Sequence, residues 1–164
     1  MGLSVLAVAG PRASVPHVLW NTTPSVPVGL YWIASAAPTT GELAVIRLPD
    51  ALRALAAARG YLGETAYLIK PVAAGTGDLV CRHAATLIIN GQVVAQARMA
   101  DERGRELPRW SGCITLTAGQ ILTLSTAPDS FDGRYFGPID RDHLVGVAHP
   151  VWVNLRRCPT PWSP

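Results

Sequence analysis

Lysine is almost missing from this chain. Of the 14 lysines and arginines in its 164 residues, only Lys70 is a lysine. Charge is scarce altogether, at 15% of residues against 49% hydrophobic. That balance excludes a disordered, solvating polymer and fits a folded, β-rich body of one domain. The arginines are scattered, so the basic footprint of a nucleic-acid binder is missing. The mild excess of +3, with a pI near 9.0, suits work near an anionic membrane surface. Cysteines number three, Cys81, Cys113 and Cys158, with no CxxC and no Cys/His spacing typical of zinc. No metal and no other cofactor is expected. A GxSxG elbow is absent, and His17, His83, His143 and His149 stand in no hydrolase motif. Gly75-Thr76-Gly77 has no helix after it, which sets aside a phosphate loop. The apolar run Leu3 to Ala9 is far shorter than the roughly 20 residues of a membrane span. It also lacks the basic start of a signal peptide. It reads as the tail of an anchor, a leader or a buried strand.

What is present is organised around Asn21-Thr22-Thr23-Pro24-Ser25-Val26-Pro27-Val28-Gly29-Leu30-Tyr31. Pro24 and Pro27 fix φ and remove donors, so neither helix nor central strand runs through them. Ser25 is therefore expected on a stiff extended loop, the support that a nucleophile requires. The same composition also makes plain turns.

Lys70 lies in Tyr67-Leu68-Ile69-Lys70-Pro71-Val72, an apolar run with strand character. Strand alternation puts Lys70 on one face with Leu68 and Val72. On a buried face the ammonium is desolvated and its pKa falls from roughly 10.4. A general base at neutral pH needs a drop of about three units, at a stability cost on the order of 4 kcal/mol. Arginine holds its proton and cannot serve here. The alternative is an edge strand that carries one ordinary lysine.

Strands are expected over 28–35, 42–48, 67–72, 79–82, 114–117, 120–125 and 145–153, the last broken near Pro150. Asn90-Gly91 predicts a tight hairpin within 86–94. A single helix is expected over 51–59, capped by Asp50 and closed by Gly60, with a packing role only. The fold class is mainly β: an antiparallel sheet domain with one short helix. Residues 1–17 form a leader, 18–153 the domain and 154–164 a Pro-rich tail.

Three pieces stand in order: Thr23-Pro24-Ser25-Val26-Pro27, then Lys70 with Gly75-Thr76-Gly77-Asp78, then Ser130-Phe131-Asp132-Gly133-Arg134-Tyr135-Phe136-Gly137. Together they resemble the nucleophile, lysine and Ser-x-Asp-x-Arg-x-x-Gly boxes of the signal peptidase I superfamily. Val28-Gly29-Leu30-Tyr31 and Tyr135-Phe136-Gly137-Pro138 tilt the resemblance to its TraF-like branch of conjugative plasmid transfer.

The resemblance implies a signal-peptidase-like fold and a serine endopeptidase with a Ser/Lys dyad. Ser25 would attack a peptide carbonyl and form an acyl-enzyme, and neutral Lys70 would take its proton. The Ser25 N–H and the Thr23 hydroxyl would make the oxyanion hole. Ser130 would hold the lysine amine, Asp132 and Arg134 would pair in support, and Gly77 and Asp78 would set the turn. Position 133 departs from the pattern, with glycine where many relatives carry serine. The partners implied are a secreted or pilin-like precursor and a membrane surface, at the periplasmic face of a bacterial inner membrane. The acyl-enzyme would be resolved by water or by a substrate amine, the latter giving a cyclic product. Cys81 and Cys113 are the candidate disulfide, with two reduced core thiols as the alternative and Cys158 left free.

Two rivals share these residues. A self-cleaving repressor-type domain uses the same Ser/Lys logic, but the sequence shows no DNA-binding domain and no convincing Ala-Gly cleavage site before the serine. A non-catalytic pilus-assembly module requires Lys70 to be an unperturbed lysine.

Overall fold

Two hydrophobic seams set the architecture. The structure, a computed structural model, describes residues 16–62 and 67–154. The apolar segment 3–9, the tail from 155 and Cys158 lie outside the described residues. Strands β1 (Val18–Asn21), β2 (Val28–Ala34), β3 (Leu43–Arg47), β4 (Tyr67–Ala74), β9 (Leu122–Thr123) and β10 (Leu144–Asn154) form one antiparallel sheet in the order β1-β2-β10-β3-β4-β9. Strands β5 (Leu79–His83), β6 (Thr86–Ile89), β7 (Gln92–Gln96) and β8 (Gly112–Thr115) form a second, in the order β7-β6-β5-β8. The fold is thus mainly β and antiparallel.

The large sheet is buried on both faces at its centre. Leu68 and Val72 of β4 join Ala44, Ile46, Phe131 and Tyr135 on one side. Ile69 joins Val26, Tyr31 and Val45 on the other. Two close approaches fix the β2–β10 seam. A Cβ on Gly29 would sit 2.1 Å from the Trp152 carbonyl oxygen, and one on Gly146 would sit 2.1 Å from that of Ala34. Only glycine lets the backbones meet so closely. The expected break near Pro150 is a register shift between Pro150 and Trp152, since proline cannot donate to the ladder.

Helix α1 (Asp50–Arg59) closes as expected on Gly60, at φ 73° and ψ 25°. Its start does not match the expectation. Pro49 occupies the N-cap, and no side chain caps the helix. Asp50 is already helical and instead pairs with Arg53 at 2.9 Å. The hairpin turn carries Asn90 at φ 49° and Gly91 at φ 82°, the left-handed pair of a type I′ turn. A second helix, α2 (Gly133–Phe136), was not foreseen, because glycine and three bulky residues carry no helical period. Its cap was in plain sight: the Asp132 side chain accepts from the Arg134 N–H.

Candidate active site

The loop between β1 and β2 is held by one side chain. Asn21, 8% exposed, donates from Nδ2 to the carbonyls of Thr23, Val26 and Pro27 at 2.8, 3.1 and 3.1 Å. Those three acceptors fix which end of the amide is nitrogen. Oδ1 therefore faces Thr23, and accepts from its N–H at 3.2 Å and its hydroxyl at 3.0 Å. Tyr31 donates to the Pro27 carbonyl at 2.6 Å. The prolines supply no donors, so asparagine and tyrosine close the loop.

Ser25 sits at its apex, 7% exposed, with Oγ 3.3 Å from the Thr23 hydroxyl. Because the Thr23 proton is directed at Asn21, Ser25 is the donor of that pair. The Ser25 N–H makes no hydrogen bond within the described residues. It is the donor available to an oxyanion, whereas Thr23 must first turn from Asn21.

Lys70 occupies the middle of β4 and is 3% exposed. Its face is the one expected, shared with Leu68 and Val72. Nζ donates to Ser130 Oγ at 2.8 Å. Burial pushes the ammonium down from 10.5 to about 8; nearby Asp132 opposes the shift and Arg134 adds to it. Among the described residues no hydrogen bond joins Ser25 Oγ to Lys70 Nζ. Each is instead tied to the segment 125–134.

That segment is built on Asp132 and Arg134, both buried. Arg134 Nε donates to Asp132 Oδ1 at 2.9 Å and its NH2 to Oδ2 at 2.8 Å, a parallel fork. The same NH2 donates to the carbonyls of Ser125 and Ala127. Asp132 Oδ2 also accepts from the Ser125 N–H at 2.9 Å. Ser125 is thus gripped at both its N–H and its carbonyl. Its own hydroxyl donates to the Ser25 carbonyl at 2.6 Å. One shell therefore holds the lysine through Ser130 and the serine loop through Ser125. The carboxylate and guanidinium satisfy each other, as a buried pair must.

Gly133 explains its own departure from serine. A Cβ there would lie 2.7 Å from both the Thr123 carbonyl oxygen and Leu122 Cδ1. Its carbonyl accepts from Trp110 Nε1 at 3.0 Å. In the glycine turn, Asp78 accepts from the Gly75 N–H and from Asn90 Nδ2, both at 2.8 Å. Cys81 and Cys113 lie directly opposite on β5 and β8, with their sulfurs bonded at 2.04 Å.

A serine on a clamped loop and a buried amine, braced by one ion pair, is an arrangement suited to covalent attack on a carbonyl. The family model described as signal peptidase, peptidase S26, matches residues 2–153. The chain belongs to the S26 signal peptidase family. It is 38% identical to the plasmid transfer protein TraF of Escherichia coli, over 92% of this chain and 90% of that one. It is 34% identical to the conjugal transfer protein TraF of Agrobacterium fabrum strain C58, over 81% of each. Among solved structures, a signal peptidase I of Enterococcus faecalis V583 matches 70% of this chain and 98% of its own, at 19% identity and a TM-score of 0.39.

Two residues of this S26 chain had escaped notice in the sequence. Asn21 offered a weak signal, an Asx residue at the mouth of a donor-poor loop. Ser125 offered none, since its contact spans 100 positions.

Proposed function

We propose that this chain is a serine endopeptidase in which Ser25 is the nucleophile and neutral Lys70 the general base. The observation that carries the reading is Lys70 itself: a buried amine brought down to about 8 and held by Ser130, in the shell that also grips Ser25. A lysine kept for packing alone would gain nothing from that burial, since the charged form is penalised.

In the first step Ser25 Oγ attacks the scissile carbonyl carbon, and its proton passes to Lys70 Nζ. The negative oxygen is met by the Ser25 N–H, joined by the Thr23 hydroxyl once that turns from Asn21. Collapse of the intermediate expels the amine, which takes the proton from Lys70. Water, or an amine of the substrate, then attacks the acyl-enzyme with Lys70 as base. Catalytic hydrogen bonds are often long before substrate arrives, so Ser25 and Lys70 are expected to approach in the complex.

The TraF relatives support a conjugative setting, the S26 family supports a precursor protein as substrate, and we take that precursor to be secreted or pilin-like. The exposed face of β1, β2 and β10 supports work at a membrane surface, which we place at the periplasmic face of the inner membrane. The exposed strand face carries Val18, Trp20, Trp32 and Trp152, each about half exposed or more, with Trp20 and Trp152 stacked at 5.8 Å. None of the helices among the described residues is long and apolar enough to cross a membrane.

The deciding experiment is Ser25→Ala, assayed on the precursor and on a quenched peptide with a small residue before the scissile bond. Cleavage should vanish while the thermal melt stays in place. Cleavage that survives in the folded variant overturns the proposal.

A further inference from the structure

A second constellation lies on the small sheet. Cys81 and His83 alternate along β5 and so share a face, and Cys113 stands opposite Cys81 on β8. The Cys113 sulfur is 3.9 Å from His83 Nε2, and the three ligand atoms lie within 4.8 Å of one another. His83 and Cys113 are exposed, so both are open to a reductant and to an ion from solution. A disulfide has no need of an imidazole nitrogen aimed at its sulfur. A pair of thiolates does, as a third ligand.

We propose that Cys81, His83 and Cys113, once the disulfide is reduced, form a zinc site of two thiolates and one imidazole with the fourth position open to solvent. Zinc takes sulfur at about 2.3 Å and imidazole nitrogen at about 2.0 Å, in a tetrahedron. Its edges are then roughly 3.5 to 3.8 Å, which the sulfur–nitrogen pair nearly meets already. Once the S–S bond is broken the two sulfurs must part to about that edge.

The chemistry balances in two steps. A dithiol reductant gives two hydrogens to the disulfide, breaks the S–S bond and is itself oxidised to a disulfide. Zinc then displaces two protons from the thiols and takes the neutral imidazole as its third ligand. Disulfide and metal exclude each other, so the redox state decides which staple joins β5 to β8. The metal also takes His83 as a ligand, where the disulfide state has only its 3.9 Å contact to the Cys113 sulfur. Between the two β5 ligands lies Arg82, 1% exposed, which donates to the carbonyls of Ala84 and Arg134. The end of β5 that zinc would fix is therefore the end that supports the Arg134 backbone.

The test uses the full chain carrying Cys158→Ser, reduced with a phosphine and titrated with Co²⁺ and then Zn²⁺. Folding is followed throughout by circular dichroism. Expected are one equivalent of cobalt with thiolate charge-transfer absorption and tetrahedral visible bands, bleached by zinc. The oxidised protein should show neither. Cys113→Ser should abolish the thiolate band, and His83→Ala should weaken binding by at least about tenfold. The proposal is overturned if the reduced chain gives no thiolate–cobalt band or has lost its β signal. It is equally overturned if Cys113→Ser or His83→Ala binds cobalt as the parent does.

Discussion

Replacing Lys70 by methionine should make this protein more stable at neutral pH. The ammonium titrates at about 8 in the fold against 10.5 outside it. At about 1.4 kcal/mol per tenfold change, that gap corresponds to roughly 3 kcal/mol. The sign follows from proton counting. Below about pH 8 both folded and unfolded chains carry the proton, and the whole cost of burying it is felt. Between about 8 and 10.5 the folded chain releases its proton while the unfolded chain keeps it. Stability therefore rises with pH through that window. Lys70→Met removes the cost but also the bond to Ser130, worth about 1 kcal/mol. A net gain of about 2 kcal/mol is expected at pH 7, shrinking to about zero at pH 10. Urea unfolding at the two pH values reads it directly. Under the proposed mechanism the same titration governs catalysis. The neutral amine rises from about a tenth of the population at pH 7 to about nine-tenths at pH 9, so kcat/KM of the parent should climb about tenfold. A profile flat from pH 7 to 9, or a Lys70→Met protein less stable than the parent at pH 7, refutes the reasoning. Either result would mean an amine that never left water.

Ser125→Ala deletes the donor to the Ser25 carbonyl and the acceptor for the Ala127 N–H. It should cost about 1–3 kcal/mol and lower kcat by roughly ten- to a hundredfold with KM nearly unchanged, as stopped-time cleavage assays will show. Asn21→Asp sets anionic oxygens against three carbonyls that now receive donors. Its melting temperature and kcat should fall together, and a parent-like melt would count against the clamp. Gly133→Ser puts a side chain where the shell has no room. Here the Cβ strikes the Thr123 carbonyl, so a destabilisation of about 1–3 kcal/mol is expected in chemical denaturation.

What could be read from the residues was whatever local chemistry decides. Asn90-Gly91 announced a hairpin because few other pairs tolerate positive φ twice. The Lys70 face followed from strand alternation, and the three boxes from their order. β1 escaped because Val18, Leu19 and Trp20 are apolar on both faces, which hides a two-residue period; the outward face is an exposed aromatic surface. β9 was expected over 120–125 and is only Leu122–Thr123, since Ile121 bridges to Ile139 and Ser125 turns toward the serine loop. The grip of Ser125 on Ser25, and of Asp132 on Ser125, joins segments that no local rule connects. Those bonds belong to tertiary structure, and a linear reading reaches them only through a family pattern.

The strand order carries a consequence for how the molecule comes into being. β10, the last strand among the described residues, is not at the rim; it lies between β2 and β3. The hairpin that carries Ser25 stands on one side of it and the lysine strands on the other. Until β10 inserts, the two halves of the large sheet have no shared ladder. The Ser25 loop then meets the lysine strands through side-chain contacts alone, such as the Ser125 hydroxyl on the Ser25 carbonyl. On the proposed mechanism, competence is expected late in folding, after the long loop closures that place β10. In refolding from urea, recovery of cleavage should lag the return of β6–β7 hairpin structure and coincide with closure of the large sheet.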